Sequence, residues 1–194
     1  VQEGDLQYLV NLDDYLDSGL FLDHRPLRHR LRKEAGGRVL NLFCYTGSLS
    51  VCAAKAGAHV TSVDMSNTYL SWAEDNFLLN DMSPKEHEFV RADITKWLKD
   101  VTLAAPEDAP DKYDLILLDP PTFSRSKKMA GTFDIQRDHR WLVMRCMKLL
   151  KKNGLLIFST NKRQFRMERE LKTMFDIRDI TRETIPMDFH DQGI

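Results

Sequence analysis

The sequence predicts an α/β fold, a doubly wound and mostly parallel sheet preceded by a short β-hairpin and a helix. Two observations lead there. The run Leu115-Ile116-Leu117-Leu118 is aliphatic without alternation, the mark of a strand buried on both faces, as parallel sheets require. Such runs also alternate along the chain with segments of helical period, which implies right-handed βαβ units. A third observation locates the business end: acids or amides fall where several of these strands stop, at Asn41, Asp64, Asp93 and Asp119, and open α/β sheets bind ligands outside the carboxyl ends of their strands.

Taken in order, residues 1–22 hold two loosely alternating runs, 8–12 and 19–22, around an acidic, glycine-containing turn, a hairpin or pair of short strands. Pro26 fits a first helical turn, where its missing N–H costs nothing, so a basic helix covers residues 25–34 and Gly36-Gly37 ends it. Strands follow at 39–43, 59–63 (ending at Asp64) and 88–90. Helices lie at 46–55, at 67–80 with Tyr69, Leu70, Ala73, Phe77 and Leu78 on one stripe, and at 93–101 behind an acidic cap. Residues 102–112, with Pro106 and Pro110, read as a surface loop. After the Leu115 strand come a polar stretch at 124–132, a helix at 135–151, a turn at Asn153-Gly154, a strand at 155–159, a helix at 163–175 and a last strand at 177–185. Residues 1–36 are expected to form an N-terminal hairpin and basic helix packed on a catalytic domain of residues 37–194. That domain is expected to continue beyond residue 194, its last strand lying outside the chain.

Composition sets bounds. The chain has 194 residues, 42% hydrophobic and 29% charged, an ordinary globular balance. No apolar run approaches the ~20 residues that cross a bilayer, so no membrane partner is expected. Three cysteines, Cys44, Cys52 and Cys146, have no metal-site spacing and are odd in number. They read as reduced thiols of a cytoplasmic protein, with no metal. A net charge of −1 argues against gripping nucleic acid by charge alone.

The strand-end residues carry the chemistry. Between the strand at 39–43 and its helix runs Asn41-Leu42-Phe43-Cys44-Tyr45-Thr46-Gly47-Ser48. The dinucleotide fingerprint needs three glycines so that backbone can approach a pyrophosphate. Only Gly47 is present, with Phe43 and Tyr45 where earlier glycines would fall, which disfavours a nicotinamide dehydrogenase. The loop suits a smaller ligand held by backbone N–H groups and by Asn41. Asp64 is placed to accept from ribose hydroxyls and Asp93 from an adenine amine; alternatively, either acid is a helix cap. Asp119 is followed by Pro120-Pro121-Thr122-Phe123. Proline cannot extend the ladder and restricts its neighbour, so the strand stops at a stiff elbow bearing a carboxylate, with Phe123, or Phe133 further on, stacked on a flat ring, Phe123 otherwise packing in the core. Arg25 either pairs a ligand carboxylate or belongs to a solvated helix face.

These residues resemble the motifs of class I S-adenosylmethionine-dependent methyltransferases, a Rossmann-like fold. More closely, Gly19-Leu20-Phe21-Leu22-Asp23-His24-Arg25, the Asn41–Ser48 stretch and Asp119-Pro120-Pro121-Thr122-Phe123 are similar to bacterial 23S rRNA methyltransferases, above all to guanine-N7-methylating ones. The resemblance implies S-adenosyl-L-methionine as cofactor and 23S rRNA or a large-subunit precursor as partner. It implies a cofactor set of Asp23, Arg25, Asn41, Phe43, Tyr45, Thr46, Gly47, Ser48, Asp64, Met65, Asp93 and Ile94, with Asp23 and Arg25 at the methionine end. The catalytic set is then Asp119, Pro120, Pro121 and Phe123. Methylating C5 of a pyrimidine needs a thiolate nucleophile, and where related cytosine-C5 enzymes carry it this chain has Ser159-Thr160-Asn161 and Pro121-Thr122. Guanine N7 offers a lone pair and leaves a positioning problem. An exocyclic-amine or cytosine-C5 methyltransferase, or a catalytically silent RNA-binding or scaffold domain, remain the competing readings. Basic clusters at Arg28 and Arg32, at Arg125, Lys127 and Lys128, at 137–140 and at Lys162, Arg163 and Arg166 are candidates for RNA phosphate. With so little net charge, a second RNA-binding or methyltransferase domain is expected in the intact protein.

Overall fold

The computed structural model describes residues 1–13, 18–104, 112–124 and 132–192. A two-residue pair, β1 (Gln2–Glu3) and β2 (Leu6–Gln7), opens the chain. A 3-10 turn, Leu22–His24, runs into α1 (Arg25–Glu34), with Pro26 in its first turn. There follow β3 (Arg38–Leu42), α2 (Ser48–Lys55), β4 (His59–Asp64), α3 (Asn67–Leu79), β5 (Glu88–Arg91), α4 (Ile94–Ala104) and β6 (Tyr113–Leu118). Beyond β6 come a small antiparallel pair, β7 (Phe123–Ser124) and β8 (Phe133–Asp134), then α5 (Ile135–Leu149), β9 (Leu150–Phe158), α6 (Arg169–Met174) and α7 (Thr181–Thr184).

The five long strands form one parallel sheet in the order β5-β4-β3-β6-β9. Successive residues of each strand point to opposite faces, and each face is buried by helices. Val39, Val60, Leu115 and Leu117 pack with Leu27 and Leu31 of α1, Val51 and Cys52 of α2 and Phe77 of α3. Leu40, Leu42, Val63, Ile116 and Leu118 pack with Leu98 of α4 and Leu142 and Cys146 of α5. The chain winds one way through β3, β4 and β5 and the other way through β6 and β9. The switch point, where such sheets open a crevice, therefore lies between β3 and β6.

Four expectations need correction. The N-terminal pair turns at Gly4, and residues 8–12 and 19–22 are not strands; one backbone hydrogen bond, Asn11 N–H to Ser18 O at 3.0 Å, links them. Asn153-Gly154 does not precede the last sheet strand but lies within it: β9 pairs through Leu150 and again from Leu155, so the residues between bulge out, with Asn153 at φ 69°. The expected helix at 163–175 is only Arg169–Met174. Gln164 adopts φ 57°, and Gln136 of α5 holds Arg166 in extended backbone, donating to its C=O at 2.8 Å and accepting from its N–H at 3.0 Å. The expected strand at 177–185 is not formed and holds the helical turn α7 instead: Asp179 Oδ1 accepts from the Thr181 N–H (2.9 Å) and hydroxyl (2.6 Å), a local bend that leads the chain into α7. Most of the loop expected at 102–112, and most of the polar stretch after Ser124, fall outside the described residues.

Candidate active site at the carboxyl ends of the strands

The loop after β3 is tightly wound. Phe43 (φ 59°), Tyr45 (φ 52°) and Gly47 (φ 71°) all adopt left-handed backbone, uncommon for residues with side chains and typical of functional loops held by their surroundings. Gly47 has no substitute: a Cβ there would come within 2.7 Å of Ala73 Cβ in α3. Asp64 is the main clamp. Its Oδ2 accepts from Tyr45 N–H at 3.0 Å and its Oδ1 from Ser66 N–H at 2.9 Å. A strap from residues 18–21 closes the loop from outside: Tyr45 Oη accepts from Gly19 N–H (2.8 Å), and the buried Thr46 hydroxyl donates to Gly19 O (2.6 Å). Burial pushes the Asp64 carboxyl above its ordinary value, against the pull of these backbone N–H groups.

Beside this loop, and across the switch point, a cleft of about 290 Å³ opens. Its wall includes Phe43, Tyr45, Asp64, Met65, Asp93, Ile94, Asp119, Pro120 and Pro121 from the expected set. Asp93 has one oxygen engaged as the cap of α4, with Oδ1 accepting from the Thr95 N–H (2.9 Å) and hydroxyl (2.6 Å) and the Lys96 N–H (3.3 Å). The cap reading of Asp93 is the one observed, and Asp93 also lines the cleft. Asp64 lines the cleft but does not cap α3; that cap is Ser66. Residues that sequence reasoning missed complete the walls. Phe21 and Tyr69 join the expected Tyr45 in an aromatic cluster, with ring centroids 4.9 and 4.6 Å from its ring, and Thr95 and Asn161 add polar atoms.

On the opposite wall Asp119 ends β6. Its side chain is 23% exposed, and its Oδ2 lies 3.9 Å from His24 Nε2, itself 3.4 Å from Ser159 Oγ. Burial raises the Asp119 carboxyl above the usual range; His24 and a hydrogen bond from Ser159 pull it down, and the neighbouring Asp23 carboxylate pushes it up. Register places Ser159 there: Leu118 pairs with Phe158, so the next residue of each strand meets at the sheet's edge. His24 had no sequence signal beyond its place between Asp23 and Arg25. The elbow after Asp119 closes through Ile135 N–H to Thr122 O at 3.3 Å. β7 pairs Ser124 with Phe133, and it is Phe133, 3% exposed and 6.2 Å from the Phe43 ring, that faces the cleft. Phe123 points out, 48% exposed.

Several expected residues lie elsewhere. Asn41 is buried in the sheet, donating from Nδ2 to Ser50 Oγ, which in turn meets Ser62 Oγ, each at 2.8 Å. Arg25 donates to Asp188 Oδ1 at 2.6 Å on the surface. Asp23, Thr46, Gly47 and Ser48 shape the surroundings without forming the cleft wall. Arg28 is not an RNA contact: it is fully buried, forked onto Glu3 (2.6–3.2 Å), donates to Phe21 O, and lies 5.7 Å from the Tyr8 ring centre. Arg32 is occupied likewise by Glu3 O (3.0 Å) and Asp5 (2.8 Å). Arg125, Lys127 and Lys128 lie outside the described residues. The three cysteines are buried, none on the cleft wall, and burial raises each thiol, Cys52 to about 11. Among the described residues no helix is long and apolar enough to cross a membrane.

The comparisons with known proteins agree with this geometry. Over 190 residues, 97% of the chain, the sequence is 53% identical to a ribosomal RNA large subunit methyltransferase K/L of Legionella pneumophila, of which it covers 26%. It is 52% identical to that of Saccharophagus degradans over 97% of the chain and 24% of the relative. The chain thus spans about a quarter of the length of these relatives. The fold matches, at a TM-score of 0.73 and 36% identity, a crystal structure of a candidate methyltransferase complexed with SAH, over 81% of this chain and 40% of that one. The sequence also matches the S-adenosylmethionine-dependent methyltransferase family over residues 1–191. The chain belongs to that family of S-adenosylmethionine-dependent methyltransferases.

Proposed function

We propose that this chain is the methyl-transferring part of a larger enzyme that methylates N7 of a guanine in 23S rRNA, by direct in-line displacement. The observation that carries the reading is the convergence on one cleft of Asp64 and Asp93 from one side and of Asp119, the two prolines and Phe133 from the other. The first wall fits a nucleoside-bearing cofactor: carboxylates for ribose hydroxyls and an adenine amine, with Met65, Ile94 and Tyr69 as apolar surface. About 290 Å³ is at the small end of ligand pockets. Bound there, S-adenosyl-L-methionine supplies an electrophilic methyl group on a sulfonium.

The second wall receives the base. Asp119, as a carboxylate, accepts from guanine N1–H and the N2 amine, which selects guanine and offsets the positive charge that N7 methylation leaves on the ring. Of the two rings foreseen for stacking, Phe133 takes the role, a contact of ~1–3 kcal/mol. The N7 lone pair forms the new bond and no proton has to leave, so the protein's task is alignment. The buried, raised thiols speak against a covalent cytosine route, which needs an accessible thiolate. Residues 1–36 we read as a unit that straps the loop after β3, residues 37–194 as the transferase domain. The loop carrying Arg125, Lys127 and Lys128 is assigned to RNA phosphate, with further grip from another domain of the full-length cytoplasmic enzyme. The test is transfer of labelled methyl to an rRNA transcript, followed by chemical scission at N7-methylguanine. Label with scission is expected; label retained in uncut RNA points to an exocyclic amine and overturns the N7 assignment.

A further inference from the structure

Among the described residues, the ring of His24 is the titratable group of opposite charge set against Asp119. Three separate segments bring the cluster together. The 3-10 turn before α1 supplies His24, whose N–H donates to Phe21 O at 3.3 Å. The elbow after β6 supplies Asp119. The end of β9 supplies Ser159, fixed by its N–H to Leu118 O at 2.9 Å. His24 Nε2 stands 3.4 Å from Ser159 Oγ and 3.9 Å from Asp119 Oδ2, with side-chain exposures of 13% for His24 and 23% for Asp119. Asp23, on the same turn as His24, is the other charged group acting on Asp119, and it opposes ionisation.

A buried carboxylate flanked by a second acid favours its neutral form. Neutral Asp119 would present a donor where guanine also presents donors, and would lose the base. We propose that His24, anchored by Ser159, is a positioning residue that holds Asp119 ionised and oriented for the acceptor base. The assignment rests on the reading that Asp119 receives that base. His24 itself touches no reacting atom; it acts through Asp119. The cluster's electrostatics agree, since His24 and Ser159 are the two neighbours that pull the carboxyl down.

Two substitutions separate charge from hydrogen bonding. His24→Gln keeps a donor for Ser159 without a charge, and His24→Lys keeps the charge. In a carbon-13 NMR titration, His24→Gln should move the Asp119 carboxylate midpoint up by about one unit, equivalent to tenfold in protonation, and His24→Lys should leave it near wild type. In the methyl-transfer assay, His24→Gln should be up to about tenfold slower at acid pH and should approach wild type as pH rises and Asp119 ionises without help. Cofactor affinity should hold in both variants. An unmoved carboxylate midpoint, a deficit equal at every pH, or loss of cofactor binding in His24→Gln would each overturn the proposal. If label enters RNA without scission at N7-methylguanine, the guanine-N7 reading fails by itself, while the titration and the pH-dependent deficit still decide the role of His24.

Discussion

Asp64 and Asp119 end the two strands that flank β3, and both are half-buried acids whose carboxyls lie above the ordinary range. Their partners differ. Asp64 is held by main-chain N–H groups at 2.9–3.0 Å, and so belongs to the scaffold that winds the loop through Phe43 and Tyr45. Asp119 is held by side chains, the nearer charged one at 3.9 Å. A carboxylate bonded to backbone can shape a loop and still offer its remaining lone pairs to a cofactor. One held loosely by side chains can turn toward a ligand that comes and goes. One sequence signal, an apolar strand ending in aspartate, therefore appears in two different settings, and the two tasks proposed for these acids follow that difference in partners.

The contrast can be broken most sharply at Asp119. Asp119→Ala should lower methyl transfer by about 10²–10³-fold, the scale of losing one donor or acceptor set against the transition state, with thermal stability nearly unchanged. Transfer surviving within tenfold would return Asp119 to a structural strand stop. Next in size is the same contrast drawn for cations. Arg28→Ala leaves Glu3 without its fork and should cost about 3–5 kcal/mol in denaturant unfolding, with no change in the salt dependence of RNA binding. A fall of about one in the salt slope would put Arg28 back on the RNA face. The smallest effect belongs to Asp114. Its Oδ2 accepts from Arg38 N–H and Lys151 Nζ, both at 2.8 Å, tying the start of β6 to β3 and to the bulge in β9. Lys151, foremost, and the Arg38 N–H hold its carboxyl below the ordinary range. Its contribution is therefore present above about pH 4, the ordinary carboxylate value, and is lost as pH falls through the depressed value. The pair is 40–42% exposed, so roughly a few tenths of a kcal/mol is expected after solvent screening. Asp114→Asn should flatten that part of the acid-unfolding curve, and an unaltered curve would contradict the assignment.

Much of the sheet was legible because its signals are local. Val39-Leu40, Val60 and Leu115–Leu118 are apolar runs whose ends an acid or a turn marks, and the strands begin and stop within about two residues of where those signals place them. Apart from the turn at Asp179 and Thr181, which is local, the failures come from partners distant in sequence. Arg28 and Arg32 read as a basic helix face because Glu3 and Asp5, which neutralise them, sit on the N-terminal pair. Arg25 has its acid near the other end of the chain, at Asp188. The helix expected from residue 163 is held off until Glu168 by α5, where the buried His139 accepts from Glu168 N–H at 3.2 Å through Nε2. Of the two rings that the sequence leaves open for the cleft, Phe133 and not Phe123 lines it, because the β7–β8 pairing that turns one in and the other out spans a stretch with no strand signal of its own. In the site, the acids at strand ends could be read individually. The His24–Asp119–Ser159 cluster could not, since it exists only once three segments meet.

The central claim is that Asp64 belongs to the cofactor wall and Asp119 to the acceptor wall. Calorimetric titration of S-adenosyl-L-methionine into Asp64→Ala and Asp119→Ala, side by side with wild type, tests it most directly. The account predicts that Asp64→Ala loses most of the binding heat and affinity while Asp119→Ala binds nearly as wild type does. Affinity lost in Asp119→Ala and retained in Asp64→Ala would contradict it.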